Sequence, residues 1–302
     1  MTAGRHVVVL DNLLHDQEAV RALLDAQGAE VVRADLRDAD ARARAIEGAE
    51  AVVHLAAIVG DPACARDPQL AEAVNIDGTR GLLEDARRAG VERLVFASTC
   101  SNYGRMSDPT VPADEDGELA PLSLYAQQKV AIEQLLLGAG LDGLAATCLR
   151  LATLYGAAPR MRFDLTVNEF TRDLWAARRL EVFGKQFWRP YVHVRDAARA
   201  IRGVLDAPSS QVAGRVFNVG RTTENYRKAD LVEIIRERVD RGEVAFVHRD
   251  EDPRDYKVSF DRIARELGFR TTMTVPDGVA EVIAALEAGR FGDPFAAAHS
   301  NI

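Results

Sequence analysis

Cysteine is scarce in this chain: Cys64, Cys100 and Cys148 are the only three among 302 residues. Their number is odd and their spacing has no metal-ligand rhythm, so free thiols in a reducing compartment are the plain reading and no bound metal is expected. Aromatic residues are few as well, at 6%. No apolar run reaches the roughly 18 residues that a membrane-spanning helix needs, so no membrane partner is expected. The N-terminus lacks a charged-then-apolar leader pattern, and a cytoplasmic location follows as an expectation. Excess positive charge is also missing. A net charge of −8 argues against nucleic acid or an anionic membrane surface as partner, although an acidic protein can still hold a local phosphate pocket.

What is present is the composition of an ordinary globular protein, 47% hydrophobic and 28% charged, in a length that suits one large domain or two tightly joined ones. The first half alternates short β-branched runs with helical patterns. "RHVVVLD", "AEVVRADL", "AEAVVHLAA", "VERLVFAST" and "LAATCLRLATLYG" read as strands. "QEAVRALLDAQ" and "ADARARAIEG" read as helices, as does the long "PQLAEAVNIDGTRGLLEDARRAG", which ends at Gly90. Nearly continuous Val/Leu/Ala runs indicate strands covered on both faces, so the expected fold is α/β with a doubly wound parallel Rossmann-type sheet. A nucleotide-binding domain is expected over residues 1–156, and a smaller α/β substrate-binding lobe over 157–302. Segments of about 186–200 and 214–220 are expected to return to the first domain, with the ligand cleft between the two.

In a dinucleotide-binding unit a strand leads into G-x-G-x-x-G, a helix, and a second strand ending in an acid about 20 residues further on. Asp11, closing "HVVVLD", is placed like that acid, yet only ten residues precede it. The spacing predicts that roughly 25–30 residues are missing: the first strand, glycine loop and first helix. A literal G-x-G-x-x-G at Gly138, Gly140 and Gly143 follows a helix and precedes a strand. That order points no helix N-terminus at a phosphate, so the motif reads as a turn. Without a central first strand, "HVVVLD" and "AVVHLAA" would each show an unpaired edge, at on the order of 1–3 kcal/mol per buried unpaired group. Three outcomes are open: the sheet closes up, another chain fills the gap, or this start is not the natural one.

The chemistry lies in "ASTCSNYG" and "SLYAQQKVAIEQ". Oxidising a secondary alcohol needs a base for the hydroxyl proton, and a tyrosine with a free pKa near 10 is a poor one at neutral pH. Lys129, four residues after Tyr125, lies on the same helix face and favours the phenolate. Thr99 or Ser98 can orient the substrate oxygen.

With these pieces in this order, the chain resembles an extended short-chain dehydrogenase/reductase of the NAD-dependent epimerase/dehydratase family, similar to the UDP-galactose 4-epimerases. The likeness runs from Arg5 to about Asp293. It includes "VVVLDNL", "ADLRD", "VVHLAA", "VNIDGT", "ASTCSNYG", "YAQQK", "LRLATLYG", "RPYVHVRDAARAI", "FNVG" and "DPRDYKVSF". The resemblance implies NAD as cofactor, with Asp11 and Asn12 at the adenosine ribose and Asp35 and Leu36 at the adenine. Leu55, Ala56 and Ala57 would wall the cofactor's middle, and Asn75 would lie beneath it. Tyr125, Lys129, Thr99 and Ser98 take the catalytic set, with Tyr125 and Lys129 also at the nicotinamide ribose. Asn168, Arg189, Tyr191 and Arg254 are implied to hold a nucleotide-sugar substrate, and arginine's planar fork suits its diphosphate.

Sugar 4,6-dehydratases of the family carry Asp-Glu after the catalytic threonine. Here Cys100 and Ser101 stand there, which counts against 4,6-dehydration. His54 and His193 read as structural, and Phe187, Trp188 and Tyr191 as pocket wall or interface. The expected function is transient hydride transfer from a sugar hydroxyl carbon to NAD+, in a nucleotide-sugar epimerase or related oxidoreductase that the resemblance makes a homodimer. The alternative is a non-catalytic or repurposed nucleotide-sugar-binding protein that lost NAD with the glycine loop.

Overall fold

A computed structural model describes residues 4–15, 17–106, 108, 111–138, 143–247 and 254–301. β1 (Val8–Asp11), α1 (Glu18–Ala26) and β2 (Glu30–Arg33) form a first βαβ unit, with Val8 opposite Glu30 in parallel register. α2 (Ala39–Ile46) starts where the Asp38 side chain accepts from Ala41 N, and leads into β3 (Ala51–His54). α3 (Asp61–Arg66) and α4 (Pro68–Glu72) precede a π-helical turn at Ala73–Gly78, which runs on into α5 (Thr79–Arg88). β4 (Arg93–Thr99), α6 (Leu124–Leu137), β5 (Ala145–Leu151) and β6 (Thr153–Tyr155) follow. Then come α7 (Thr166–Trp175), β7 (Arg179–Phe183), β8 (Trp188–His193), α8 (Val194–Asp206), α9 (Ser209–Val212) and β9 (Arg215–Val219). β10 (Asn225–Arg227), α10 (Lys228–Arg236), β11 (Glu243–Val247), α11 (Asp261–Leu267) and α12 (Val275–Glu287) complete the chain.

β3, β4, β5 and β9 form a four-stranded parallel sheet in the order β3-β4-β5-β9. β1 and β2 form a separate pair, β10-β8-β6 a mixed sheet, and β11-β7 a second parallel pair. The sheet therefore does not close up: among the described residues β1 and β3 are not paired with each other, and each has a strand partner on one side only. One face is bridged all the same, because Val52 of β3 packs against Leu36, Ile46 and Leu82, and α2 also lies on β1.

The long helix expected over 68–90 is present as one continuous run, α4, a π-helical segment at Ala73–Gly78 and α5, followed by Gly90 in the left-handed region (φ +72°). One element departs from the sequence expectation. The strand expected through "LAATCLRLATLYG" turns at Ala152. β5 stays in the four-stranded sheet and β6 leaves it to pair with β8. Of the turn glycines, Gly138 caps α6 and Gly143 has φ +82°, while Gly140 lies outside the described residues.

The main core joins Val95, Leu149, Phe217 and Val219 of the sheet to Ala197, Ala200 and Val204 of α8. Tyr256, Val258 and Phe260 belong to the same core, where each buried large apolar side chain contributes about 1.5–3 kcal/mol. Isolated bridges Arg105–Asp255 and Ala113–Val258 hold this late segment beside the chain that follows β4. A second core, with Leu174, Val182, Leu231 and Val279, packs α7, α10 and α12 around β7. Among the described residues no helix is long and apolar enough to cross a membrane.

Candidate active site

The C-terminal ends of β3 and β4 and the start of α6 meet at one place, the position where open α/β sheets bind ligands. Strand alternation sends Ser98 and Thr99 to opposite faces. Thr99 is half-buried, and its hydroxyl accepts from Ser101 N at 3.1 Å. Ser98 faces inward instead. Its hydroxyl donates to Glu133 Oε1 at 2.5 Å and accepts from Asn102 Nδ2 at 3.2 Å. Glu133 also receives Arg150 through Nε and NH2, at 3.1 and 2.7 Å. Ser98 is thus committed to a buried network and Thr99 is left at the site.

α6 begins at Ser123, whose side chain accepts from Ala126 N at 3.2 Å and so fixes the first turn that carries Tyr125. Tyr125 is half-buried, and its hydroxyl takes no hydrogen bond among the described residues. Burial, with the charges of Cys64 and Asp61 adding to it, holds this phenol well above its ordinary value, so it rests protonated. Lys129 is buried, donates to Ala97 O at 2.7 Å, and lies 4.5 Å from the Phe96 ring centroid and 5.8 Å from that of Tyr125. Desolvation lowers its pKa to about 8. His54 is pushed down to about 3, first by burial and then by Lys129, so its ring is neutral and bonds Thr79 Oγ1 at 2.8 Å. His193 pairs with Glu281 at 2.8 Å and caps α8. Among the described residues no group of three His, Cys, Asp or Glu side chains could hold a metal ion.

A small pocket sits beside Lys129, lined by His54, Ala57, Asn75, Phe96 and Gln128 among others. Asn75 lies in the π turn. It accepts from Ile58 N at 2.8 Å and donates to Ile58 O and Gln128 Oε1, which pins the loop leaving β3. On that loop Leu55, at 55% exposure, and Ala56 offer an uncovered apolar wall. At the far end Asp11 Oδ1 accepts from Leu13 N at 2.7 Å and holds Leu13 at φ +55°. Asp11 Oδ2 takes no hydrogen bond among the described residues. Asn12 reaches Asp35 at 3.5 Å, and Arg37 holds the Asp35 carboxyl at about 2. Leu36 is buried against α2. A dinucleotide fits these two ends, an acceptor at β1 for ribose hydroxyls and an apolar floor with Lys129 at β3–β4. No glycine loop opening a helix lies between them among the described residues.

The residues assigned to the substrate are more engaged. Asn168 is buried, accepts from Gly156 N and donates to Arg162 O, both at 3.0 Å. Arg189 donates to Trp188 O and Arg254 O and lies 5.1 Å from the Tyr256 ring centroid. Arg254 reaches across to Asp61 at 2.6 Å. Tyr191 is buried with its ring 6.5 Å from that of Tyr226. Trp188 stacks under Lys257 at 3.8 Å.

Several contributors were not picked out from the sequence. Glu133 lies one helical turn past Lys129, a spacing that could have marked it. Asp61, Gln128 and Tyr256 carry no such local signal. Cys100 is buried with Sγ donating to Arg150 O at 3.3 Å, and burial drives its thiol far above the usual range. Ser101 faces the Tyr256 hydroxyl at 3.4 Å. Neither can act as an acid near neutral pH. An open depression lined by Glu115, Asp116, Arg215, Arg262, Arg265 and Glu266 lies at the start of β9, away from these groups.

The profile of the NAD dependent epimerase/dehydratase family matches residues 1–220. A dTDP-glucose 4,6-dehydratase of Streptomyces griseus is 33% identical over 257 residues, covering 83% of this chain and 76% of that protein. UDP-glucuronate 4-epimerase 1 of Arabidopsis thaliana is 28% identical over 314 residues, covering 93% and 70%. In structure, a dTDP-glucose 4,6-dehydratase of Streptomyces venezuelae with NAD bound superposes with a TM-score of 0.85 at 27% identity, over 97% of this chain and 91% of the other. The family profile over residues 1–220 and the relative 33% identical over 83% of this chain show that the chain belongs to the NAD-dependent epimerase/dehydratase family.

Proposed function

We propose that this protein is an NAD-dependent nucleotide-sugar epimerase or a closely related oxidoreductase. The observation that carries the reading is the Tyr125 hydroxyl, unbonded within the described protein, with buried Lys129 one turn away on the same helix face. Asp11, Asn12, Asp35 and Leu36 would hold the adenosine end of NAD, Leu55, Ala56 and Ala57 its middle, and Asn75 and Lys129 the floor of its nicotinamide end. Bound there, NAD+ supplies an acceptor, and later a donor, of hydride. Tyr125 takes the proton of the reacting hydroxyl at its phenol oxygen. It rests protonated, so it must first be made acidic, and the Lys129 ammonium is the cation placed to do this. Thr99 orients the substrate oxygen. Arg189, Arg254 and Asn168 with Tyr191 line the nucleotide-sugar's path, and the arginines suit its diphosphate. The buried Cys100 and the Ser101–Tyr256 contact favour epimerisation over 4,6-dehydration, since no carboxylic acid stands after Thr99.

Tyr125→Phe should lower turnover of a nucleotide sugar by at least about 100-fold, the usual scale of lost acid–base catalysis, while its binding stays within about twofold. Comparable turnover in the variant would overturn the mechanism.

A further inference from the structure

Gln128 stands on α6 between Tyr125 and Lys129 and is 4% exposed. Its amide bridges two side chains of another part of the fold. Oε1 accepts from Asn75 Nδ2 at 2.8 Å, and Nε2 donates to Glu72 Oε2 at 3.2 Å. A carboxylate accepts and cannot donate, so Gln128 must turn its NH2 to Glu72. That fixes its orientation and leaves its carbonyl for Asn75.

Both amide protons of Asn75 are taken, one by Gln128 and the other by Ile58 O at 3.1 Å, while its Oδ1 accepts from Ile58 N at 2.8 Å. Its backbone carbonyl accepts from Thr79 Oγ1, which meets His54 at the end of β3. One strut therefore runs from α6 through the π turn to the loop that leaves β3. Ala56 and Ala57 of that loop line the same small pocket as Gln128 and Lys129. Asn75 is a spacer in this arrangement, and Gln128 is the group on α6 that it leans on. Without the Gln128 carbonyl, a buried Asn75 N–H loses its acceptor, and the loop loses a polar tie to the helix of Tyr125.

We propose that Gln128 is a positioning residue acting through Asn75. It sets the apolar wall at Leu55, Ala56 and Ala57 at a fixed distance from Tyr125 and Lys129, so that the nicotinamide end of NAD is held for hydride transfer. This rests on the NAD reading above and deepens it. The adenosine end, at Asp11 and Asp35, lies off the strut. Loss of Gln128 therefore weakens the hold on nicotinamide and spares the hold on adenosine.

The test is calorimetric titration of NAD+ and of ADP-ribose, which shares the adenosine and pyrophosphate but lacks nicotinamide, into the full chain. Gln128→Leu removes both hydrogen bonds. It should bind NAD+ at least about tenfold more weakly than the wild type, and ADP-ribose within about twofold. Gln128→Glu separates positioning from packing, and it decides the matter where the first variant does not fold. Its ionised carboxylate faces Glu72 with like charge, but once protonated it donates to Glu72 and still accepts from Asn75. The ratio of its NAD+ affinity to that of the wild type should rise at least about fivefold as the pH falls from about 8 to about 5.5. Unchanged NAD+ binding in Gln128→Leu, an equal loss for both ligands, or a pH-independent ratio in Gln128→Glu overturns the inference while leaving the NAD reading in place. A wild type that binds no NAD+ overturns that reading, and this inference with it.

Discussion

Glu133 ties three elements of the candidate site together. Its carboxylate, 2% exposed, accepts from Ser98 on β4, Asn102 in the turn beyond it and Arg150 on β5, while its own helix carries Tyr125 and Lys129. Three elements are thereby fixed relative to one another at the level of the reacting groups. The pair with Arg150 is fully enclosed, with side chains 4% and 2% exposed. Removing one member strands the other's charge, which costs about 3–5 kcal/mol, whereas replacing both by apolar residues of similar volume is often neutral. Glu133→Gln should therefore lower the urea-unfolding stability by about 3–5 kcal/mol, and Glu133→Leu with Arg150→Met should recover most of it. A loss below about 1 kcal/mol in the single variant, the range of an exposed pair, would show that the network is not closed as described.

At the scale of elements, irregularity falls where the site is. The π turn at Ala73–Gly78 rotates Asn75 under the loop that leaves β3, and Gly156 ends β6 at φ +102° with its N–H on Asn168. A Cβ at Gly156 would collide with the His193 ring, itself tied to Glu281 of α12. Gly156→Ala should cost about 1–3 kcal/mol, from left-handed backbone and overpacking together, and should appear as a lower urea midpoint at unchanged slope. An unaltered midpoint would mean that the turn can relax. These details also mark the limit of what could be read from residues alone. Val/Leu/Ala runs gave the parallel strands, and Tyr-x-x-x-Lys after "ASTCSNYG" gave the candidate site, because both are patterns of local spacing. The π turn and the bend at Ala152 lie within patterns that look continuous, since the hydrophobic period barely changes there. Asp61, Tyr256 and the inward turn of Ser98 depend on contacts between residues far apart in the chain, which spacing does not encode.

For the whole molecule, the adenosine and nicotinamide ends of the proposed cofactor site lie on different sheets. Asp11 closes β1 and Asp35 lies two residues past β2, whereas Ala57, Asn75 and Lys129 belong to the neighbourhood of β3, β4 and α6. The two ladders share α2 but no backbone pairing among the described residues. Parallel strands with an unpaired edge open at less free energy than strands flanked on both sides, so β1–β2 should exchange its amide hydrogens faster than β4–β5. A dinucleotide reaching from Asp11 to Lys129 ties the ladders together. At about 100 times its dissociation constant NAD+ should stabilise by roughly 2.7 kcal/mol, a rise of a few degrees in melting temperature. The same addition should slow exchange in β1–β2 more than in β4–β5. Thermal melts and hydrogen exchange with and without millimolar NAD+ check both. A rise in melting temperature with protection confined to β4–β5 would mean that only the nicotinamide end is held. No change in either would mean that this chain binds no dinucleotide, and would favour a nucleotide-sugar-binding protein over a redox enzyme.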